Sequence, residues 1–423
     1  MAARLVPAEY TLRLVRTEPA RSAQEAVPTA ALPPRRGTLG EVALLFLKLG
    51  TIAFGGPAAH IAMMEDEVVR RRGWLTREAF LDLLGAASLI PGPSSTELAI
   101  YIGHDQAGWP GLLAGGVCFI LPAALIVAAL AWAYVRFGAL PAVVGVLYGI
   151  KPVVIAVVAQ ALWGMARTAV KTRGLALLGA AAVTATLLGA DQLAVLVGAG
   201  AVSALTWRLG AGRRSPRSGA AGAAGAMAVP AMSAASAASA ASAASAASVP
   251  FGLWPLFGVF LKIGAVLFGS GYVLLAFLRA DLVDRLHWLT ERQLLDAVAV
   301  GQVTPGPVFT TATFIGYLLG RGPGALVATV AIFLPGFLLV ALSGPLIPRL
   351  RRSALAGAAL DGIVVASLGL MLVVALQLAR AALIDPLTVA IAAISAVALL
   401  RFRINASWLV GAAALLGGLS RFF

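Results

Sequence analysis

Two apolar runs, GLLAGGVCFILPAALIVAALAWAYV from Gly111 and GALVATVAIFLPGFLLVALSGPLI from Gly324, are each long enough to cross a bilayer, which takes about 20 residues as a helix. Inside hydrocarbon, backbone N–H and C=O groups have to be paired within the protein, and this restricts the fold more than any other feature. The expected fold is an all-α polytopic membrane protein. The composition agrees: of 423 residues, 60% are hydrophobic and only 12% charged, with a mean hydropathy of +0.93. The net charge of +14 comes from short arginine clusters between apolar runs, such as Arg70, Arg71 and Arg72 or Arg349, Arg351 and Arg352. Charges so placed set membrane topology and do not call for a nucleic-acid partner. The single cysteine, Cys118, lies in an apolar run, which excludes an internal disulfide and gives no support for a thiolate metal site.

The chain is two copies of one unit. At one constant shift FLKLGTIAFGG from Phe46 falls on FLKIGAVLFGS from Phe260, Trp74-Leu75-Thr76 on Trp288-Leu289-Thr290, Asp82 on Asp296, and Pro91-Gly92-Pro93 on Pro305-Gly306-Pro307. After a single-residue deletion Ile102-Gly103 falls on Ile315-Gly316, and Leu121-Pro122 on Leu334-Pro335. The organisation is a basic cytosolic tail over 1–37, repeat one over 38–209, an Ala/Ser-rich linker over 210–252 and repeat two over 253–423. The linker's Ser-Ala-Ala tandem presents no face that packs. The tail has no apolar region behind it and so differs from a cleaved signal peptide. Duplicated halves of this sort are characteristic of secondary transporters, in which an all-protein lipid-embedded scaffold needs no cofactor.

Each half carries two interruptions. The run from Leu39 to Phe54 would make a helix of roughly 24 Å, short of the hydrocarbon thickness, before it stops at Gly55-Gly56-Pro57. The charged stretch that follows suits a return to the face of entry. The second interruption is Pro91-Gly92-Pro93: neither proline has an N–H, and Pro93 drives Gly92 out of the α region. Ser94, Ser95 and Thr96 then restart a helix as cap and first-turn residues. Each repeat is therefore expected to hold two broken or re-entrant helical hairpins plus about four spanning helices. The N-terminal ends of restarted helices carry free N–H groups and partial positive charge, so their convergence makes an anion site. Lys48 and Lys262, at one repeat position about 9 Å before their breaks, would add formal positive charge; snorkelling to an interface is the alternative.

These residues closely resemble the long-chain form of the chromate transporter family. The resemblance is carried by FGGPAAHIAMMEDEVVRRRGWLTREAFLDLLGAASLIPGPSSTELAIYIG from Phe54 and by FGSGYVLLAFLRADLVDRLHWLTERQLLDAVAVGQVTPGPVFTTATFIGYLLG from Phe268, and it leaves out the tail and linker. It implies a multi-pass carrier of the bacterial inner membrane that exports chromate and confers resistance, with sulfate as a structural mimic. A transporter or channel for sulfate or another anion is the alternative, and a homodimer is open. The family pattern falls on Phe54, Gly55, Gly56, Pro57, Trp74, Pro91, Gly92 and Pro93, and on Phe268, Gly269, Gly271, Trp288, Pro305, Gly306 and Pro307. Repeat two departs at Phe268-Gly269-Ser270-Gly271, where Gly271 replaces proline. The resemblance implies inverted repeats, which place Arg349, Arg351, Arg352, Arg401 and Arg403 on the cytoplasmic face; an even crossing count in repeat one favours a parallel pair.

The candidate binding set is completed by hydroxyls and one acid. Ser94, Thr96, Thr304, Thr310 and Thr311 can donate to oxyanion oxygens or simply cap helices. Glu97, one turn after Pro-Gly-Pro, is either a proton-coupled gate or an ion-pair partner of Lys48 or an arginine. Asp82 and Asp296 are expected to cap or to pair with a loop arginine, and Trp74 and Trp288 to anchor the interface. His60, His104 and His287 have no metal-binding spacing and read as structural. HExxH, GxSxG and aspartate-dyad patterns are missing, which leaves an intramembrane enzyme without support.

Overall fold

The computed structural model describes residues 36–54, 56–138, 140–211, 250–267, 273–343, 353–402 and 404–419. Almost all of the tail and of the linker, Gly55, Phe268, Gly269, Ser270, Gly271, Arg349, Arg351, Arg352 and Arg403 lie outside the described residues. Every regular element among those described is a helix. Repeat one comprises α1 (Leu39–Ile52), α2 (Gly56–Glu65, running into a π-helical turn Asp66–Arg71), α3 (Arg77–Ala87), α4 (Ser94–Phe137), α5 (Pro141–Ala169), α6 (Arg173–Leu187) and α7 (Gln192–Ala211). Repeat two repeats the order: α8 (Leu253–Val266), α9 (Leu274–Leu278, with the π turn Arg279–Arg285), α10 (Glu291–Val303), α11 (Thr311–Ser343), α12 (Ala354–Ala382), α13 (Pro386–Arg401) and α14 (Ala406–Leu419).

Local sequence fixes the starts. Thr38 and Glu41 close a capping box on α1, Thr76 caps α3, and Thr290 with Gln293 forms the matching box on α10. The first two helices of each repeat form a re-entrant hairpin. Lys48 on α1 pairs with Glu67 beyond α2 at 2.7 Å, and Gly37 lies against the Trp74 ring, so the chain leaves at the face where it entered. The second hairpin, α3 with the first limb of α4, returns to that same face, where Gln106 accepts from Gly37 N at 2.8 Å.

Among the described residues five helices are long and apolar enough to cross a membrane, but two of them fold back on themselves. In α4 the chain reverses at Ala107 and Gly108, the latter at φ 62°, leaving a first limb 94–106 and a spanning limb 109–137. The limbs touch through glycine: a Cβ on Gly103 would lie 2.1 Å from the Gly111 carbonyl. In α11 the reversal falls on Gly320 and Arg321, and Gly316 meets Gly324 in the same way. The spanning elements are then the second limb of α4 with α5, α6 and α7, and their counterparts in repeat two.

The repeats are inverted and exchange elements. Tyr101, in the first limb of α4, bonds Ser343 at the far end of α11 (2.5 Å), while Tyr134, at the far end of α4, stacks on Phe314 in the first limb of α11 (5.3 Å). Each long limb thus ends beside the other repeat's hairpins, which only antiparallel repeats allow. Further out, α5 packs against α13 and α14, and α12 against α6 and α7. Small residues permit these approaches: Gly149 sits on the Ala413 carbonyl and Gly417, and its counterpart Gly362 on the Ala199 carbonyl and Ser203. Following the helices, α7 ends at the face where α1 begins and α8 starts at the opposite one; the odd crossing that inverted repeats require before Trp254 falls on residues 212–249, outside the described residues. Outside, Leu177, Leu188, Trp254, Leu342 and Trp408 are 72–82% exposed, an apolar surface suited to lipid.

Two measurements check this arrangement. In single-cysteine variants lacking Cys118, Thr172→Cys and Ile384→Cys occupy matching turns of the two repeats; an impermeant thiol reagent is expected to label them from opposite faces, and labelling from one face would restore the parallel pair. Gly149→Val, where a Cβ would lie 1.9 Å from the Ala413 carbonyl, is expected to destabilise by about 1–3 kcal/mol. Gly164→Val, which meets nothing within 4 Å, is the neutral control in detergent melting curves.

Candidate functional site

In Pro91-Gly92-Pro93 only the glycine has an N–H to donate, and at membrane depth that group must find an acceptor. The first helix of each repeat ends with unpaired carbonyls. The structure matches these needs across the repeats: Gly92 N donates to the Leu267 carbonyl at 2.6 Å, and Gly306 N to the Ala53 carbonyl at 2.9 Å. Leu267 and Ala53 are the residues that cap α8 and α1. The four helix ends therefore meet on the pseudo-two-fold axis. Glycine is required there twice over. Gly92 (φ 135°) and Gly306 (φ 84°) adopt backbone conformations that side chains resist, and a Cβ on Gly306 would strike Ala123 at 2.6 Å.

Around this crossing the structure gathers most of the sequence-derived set. Gly92, Pro93, Ser95, Thr96, Glu97, Pro305, Gly306, Pro307, Thr310 and Thr311 are buried; Gly56, Pro57, Pro91 and Ser94 are half-buried, and Phe54 is exposed. The hydroxyls differ in what they do. Thr310 donates to the Pro307 carbonyl and Thr311 to the Val308 carbonyl, both at 2.8 Å, so these two are bonded back onto their own backbone. Thr304 likewise turns to the Gly301 carbonyl at 3.3 Å. The Thr96 hydroxyl and both carboxylate oxygens of Glu97 are buried with no hydrogen-bond partner among the described residues. Glu97 bends back over its own break: a Cβ on Gly92 would fall 2.0 Å from its Oε1, and one on Gly336 of α11 would fall 3.6 Å away.

Lys48 and Lys262 point elsewhere. Lys48 pairs with Glu67, which also holds Arg72 at 3.3 Å, and Lys262 pairs with Asp281, which also holds Arg285 at 3.0 Å. Both ammonium groups are drawn toward the open ends of their hairpins, where Lys48 lines a shallow cavity of 310 Å³ and Lys262 one of 220 Å³.

Two features here escape a reading of the sequence. His60 is buried, its Nε2 3.1 Å from the Ala53 carbonyl and its Nδ1 3.4 Å from Ser95 Oγ. The carbonyl contact places the proton on Nε2 and leaves Nδ1 to accept from Ser95, so one ring ties the end of α1 to the start of α4. Asp296, expected to cap or to meet a loop arginine, pairs instead with Lys151 of α5 at 2.8 Å and accepts from Tyr134. Asp82, at the matching position, is exposed. The available signals were a lysine within the apolar run of α5 and a histidine just past Pro57, neither repeated in the other half. No cluster of metal-ligating side chains occurs among the described residues.

The sequence profile described as "Chromate transporter" matches residues 40–205 and again 254–418. A chromate transport protein of Cupriavidus metallidurans is 35% identical over 386 residues, covering 90% of this chain and 92% of its own. A probable chromate transport protein of Synechococcus elongatus is 31% identical over 82% of this chain and 86% of its own, and a chromate transport protein of Pseudomonas aeruginosa 30% identical over 83% of each. No solved structure matches. With two copies of the profile and full-length relatives above 30% identity, the chain belongs to the chromate transporter family and is a multi-pass bacterial membrane protein.

Proposed function

We propose that this chain is a secondary transporter that exports chromate from the cytosol, conferring resistance, and that the oxyanion binds where the helix breaks meet between the repeats. The observation that carries the site is the buried, unpartnered Thr96 hydroxyl at the restarted N-terminus of α4, beside the crossed Gly92 and Gly306 bonds. Donors of this kind at a helix N-terminus suit an oxyanion. Inverted repeats supply two mirror-related conformations that open the same site to either side. Charge supports an orientation in the membrane. Arg70, Arg71, Arg72, Arg77, Arg167, Lys171, Arg173, Arg208 and Arg401 gather at the face where α1 begins, which makes it the cytoplasmic one. On the opposite face Arg279 and Arg285 pair with Asp284, Glu291 and Asp281, as Arg71, Arg72, Arg77 and Lys171 pair with Asp66, Glu67, Glu65 and Asp361 on the first, and the first face carries the larger number of basic residues among those described.

That several relatives are named chromate transport proteins supports transport over catalysis. In inside-out vesicles radiolabelled chromate uptake is expected to saturate and to accelerate with substrate on the far side; uptake linear in concentration, without counterflow, would mean a channel. Sulfate is expected to compete.

Two substitutions separate the roles. Thr96→Val is expected to weaken chromate binding by about 1.5 kcal/mol or more, roughly tenfold in KM, as befits a lost bond to an anion. Lys48→Ala or Lys262→Ala, removing an exposed and a half-buried charge that are both already paired, is expected to cost up to about 1 kcal/mol, roughly fivefold, chiefly at low substrate and low salt. A null effect of Thr96→Val on uptake would move the site away from the breaks.

A further inference from the structure

The Glu97 carboxylate occupies an unusual position for a structural acid. It is fully buried, both oxygens lack a partner among the described residues, and it folds back over Gly92 to sit before the N-terminus of its own helix. The structural acids of this protein behave otherwise: Glu67, Asp281 and Asp296 each hold a lysine within 2.8 Å. A buried ionised carboxylate without such a partner is costly. It also stands where an anion bound at these N–H groups would have to stand.

We propose that Glu97 is the proton-coupling site: its ionised carboxylate and the transported oxyanion exclude each other, so that each anion is bound together with one proton. The inference rests on the transport reading above. The step is a plain protonation. A proton from the aqueous side to which the site is open adds to a Glu97 oxygen, the neutral acid withdraws as a like charge, and the dianion takes the vacated place before the α4 N-terminus. Release reverses it. The neutral acid is also a donor, so an occupied site gains a bond where an ionised one would repel.

The surroundings leave this role to Glu97. Tyr101 lies one turn further along α4 and is bonded to Ser343 of α11. On α2, His60 is committed to Ala53 and Ser95. On α1, Lys48 is paired with Glu67, and on α10 Asp296 is held by Lys151 and Tyr134. On α3, Asp82 is exposed, and α11 presents Gly336 to the carboxylate. In the second repeat the matching residues are Thr311 for Glu97 and Leu274 for His60. One proton per transport cycle follows, because the second break has no counterpart acid.

The test uses the purified full-length chain in detergent and chromate at alkaline pH, where the free ion is already the dianion. As pH is raised, adding chromate to lightly buffered protein is expected to take up protons, the number per bound anion climbing toward one as the empty-site carboxylate ionises, with the wild-type Kd rising by up to about tenfold per pH unit. Glu97→Gln, a neutral stand-in for the protonated acid, is expected to bind chromate with no proton uptake and a Kd independent of pH. Binding without proton uptake in the wild type, or an unchanged pH slope in Glu97→Gln, would overturn the proposal. The wild-type proton count decides the matter even where the variant fails to fold. If the wild type binds neither chromate nor sulfate, the transport reading itself falls and this one with it.

Discussion

Two backbone hydrogen bonds, Gly92 to Leu267 and Gly306 to Ala53, hold the centre of this protein together, and the rest of the fold is arranged to make them possible. Each Pro-Gly-Pro presents one donor and each interrupted first helix presents unsatisfied acceptors. In water these groups would be solvated. In hydrocarbon an unpaired amide costs several kcal/mol, so the broken segments of one repeat are completed only by the other. The exchange of outer helices, α5 onto α13 and α14 and α12 onto α6 and α7, repeats that dependence at the periphery. Neither half has a self-sufficient interior.

The backbone is symmetric while the chemistry is not. Matching glycines make matching contacts, Gly50 with the Phe119 carbonyl and Gly264 with the Ile332 carbonyl. Yet Asp296 is buried against Lys151 where Asp82 is exposed, and Glu97 faces Gly336 where Thr311 merely bonds back to the Val308 carbonyl. Duplication supplied a scaffold in which two conformations are related by symmetry. With the proposed single central site, the charged groups are free to differ, because one site needs only one set of them.

Much of this was legible in the sequence for physical reasons. Pro-Gly-Pro and Gly-Gly-Pro cannot lie within a helix, and a run from Leu39 to Phe54 is too short to span, so the breaks and re-entrant hairpins follow from local rules. The reversal inside α4 was harder to see, since its signal is only Ala107 and Gly108 before Trp109-Pro110, and the helices on both sides are apolar. The lysines show the opposite problem. Recurrence of Lys48 and Lys262 at one repeat position marked a shared role, but Glu67 and Asp281 recur at the same shift and are the partners that explain it. Which carbonyl accepts from Gly92 is a tertiary fact with no local signal, and so is the seat of His60.

The crossed bonds also bear on how such a carrier moves. Breaking both at once would strand two amides and two carbonyls in a water-poor centre, a cost too large for a step repeated in every cycle. They therefore favour a pivot at the crossing, with the hairpins tilting about it. The Tyr101–Ser343 contact on one face and the Tyr134–Asp296 contact on the other lie at the ends of the two long limbs, where a small rotation about the centre produces the largest displacement. Contacts at those ends are side-chain bonds, cheaper to exchange than the backbone pair they surround. Glu97, one turn from the pivot, stays with the fixed part of the structure, as the proposed exchange of a proton and an anion with both sides requires.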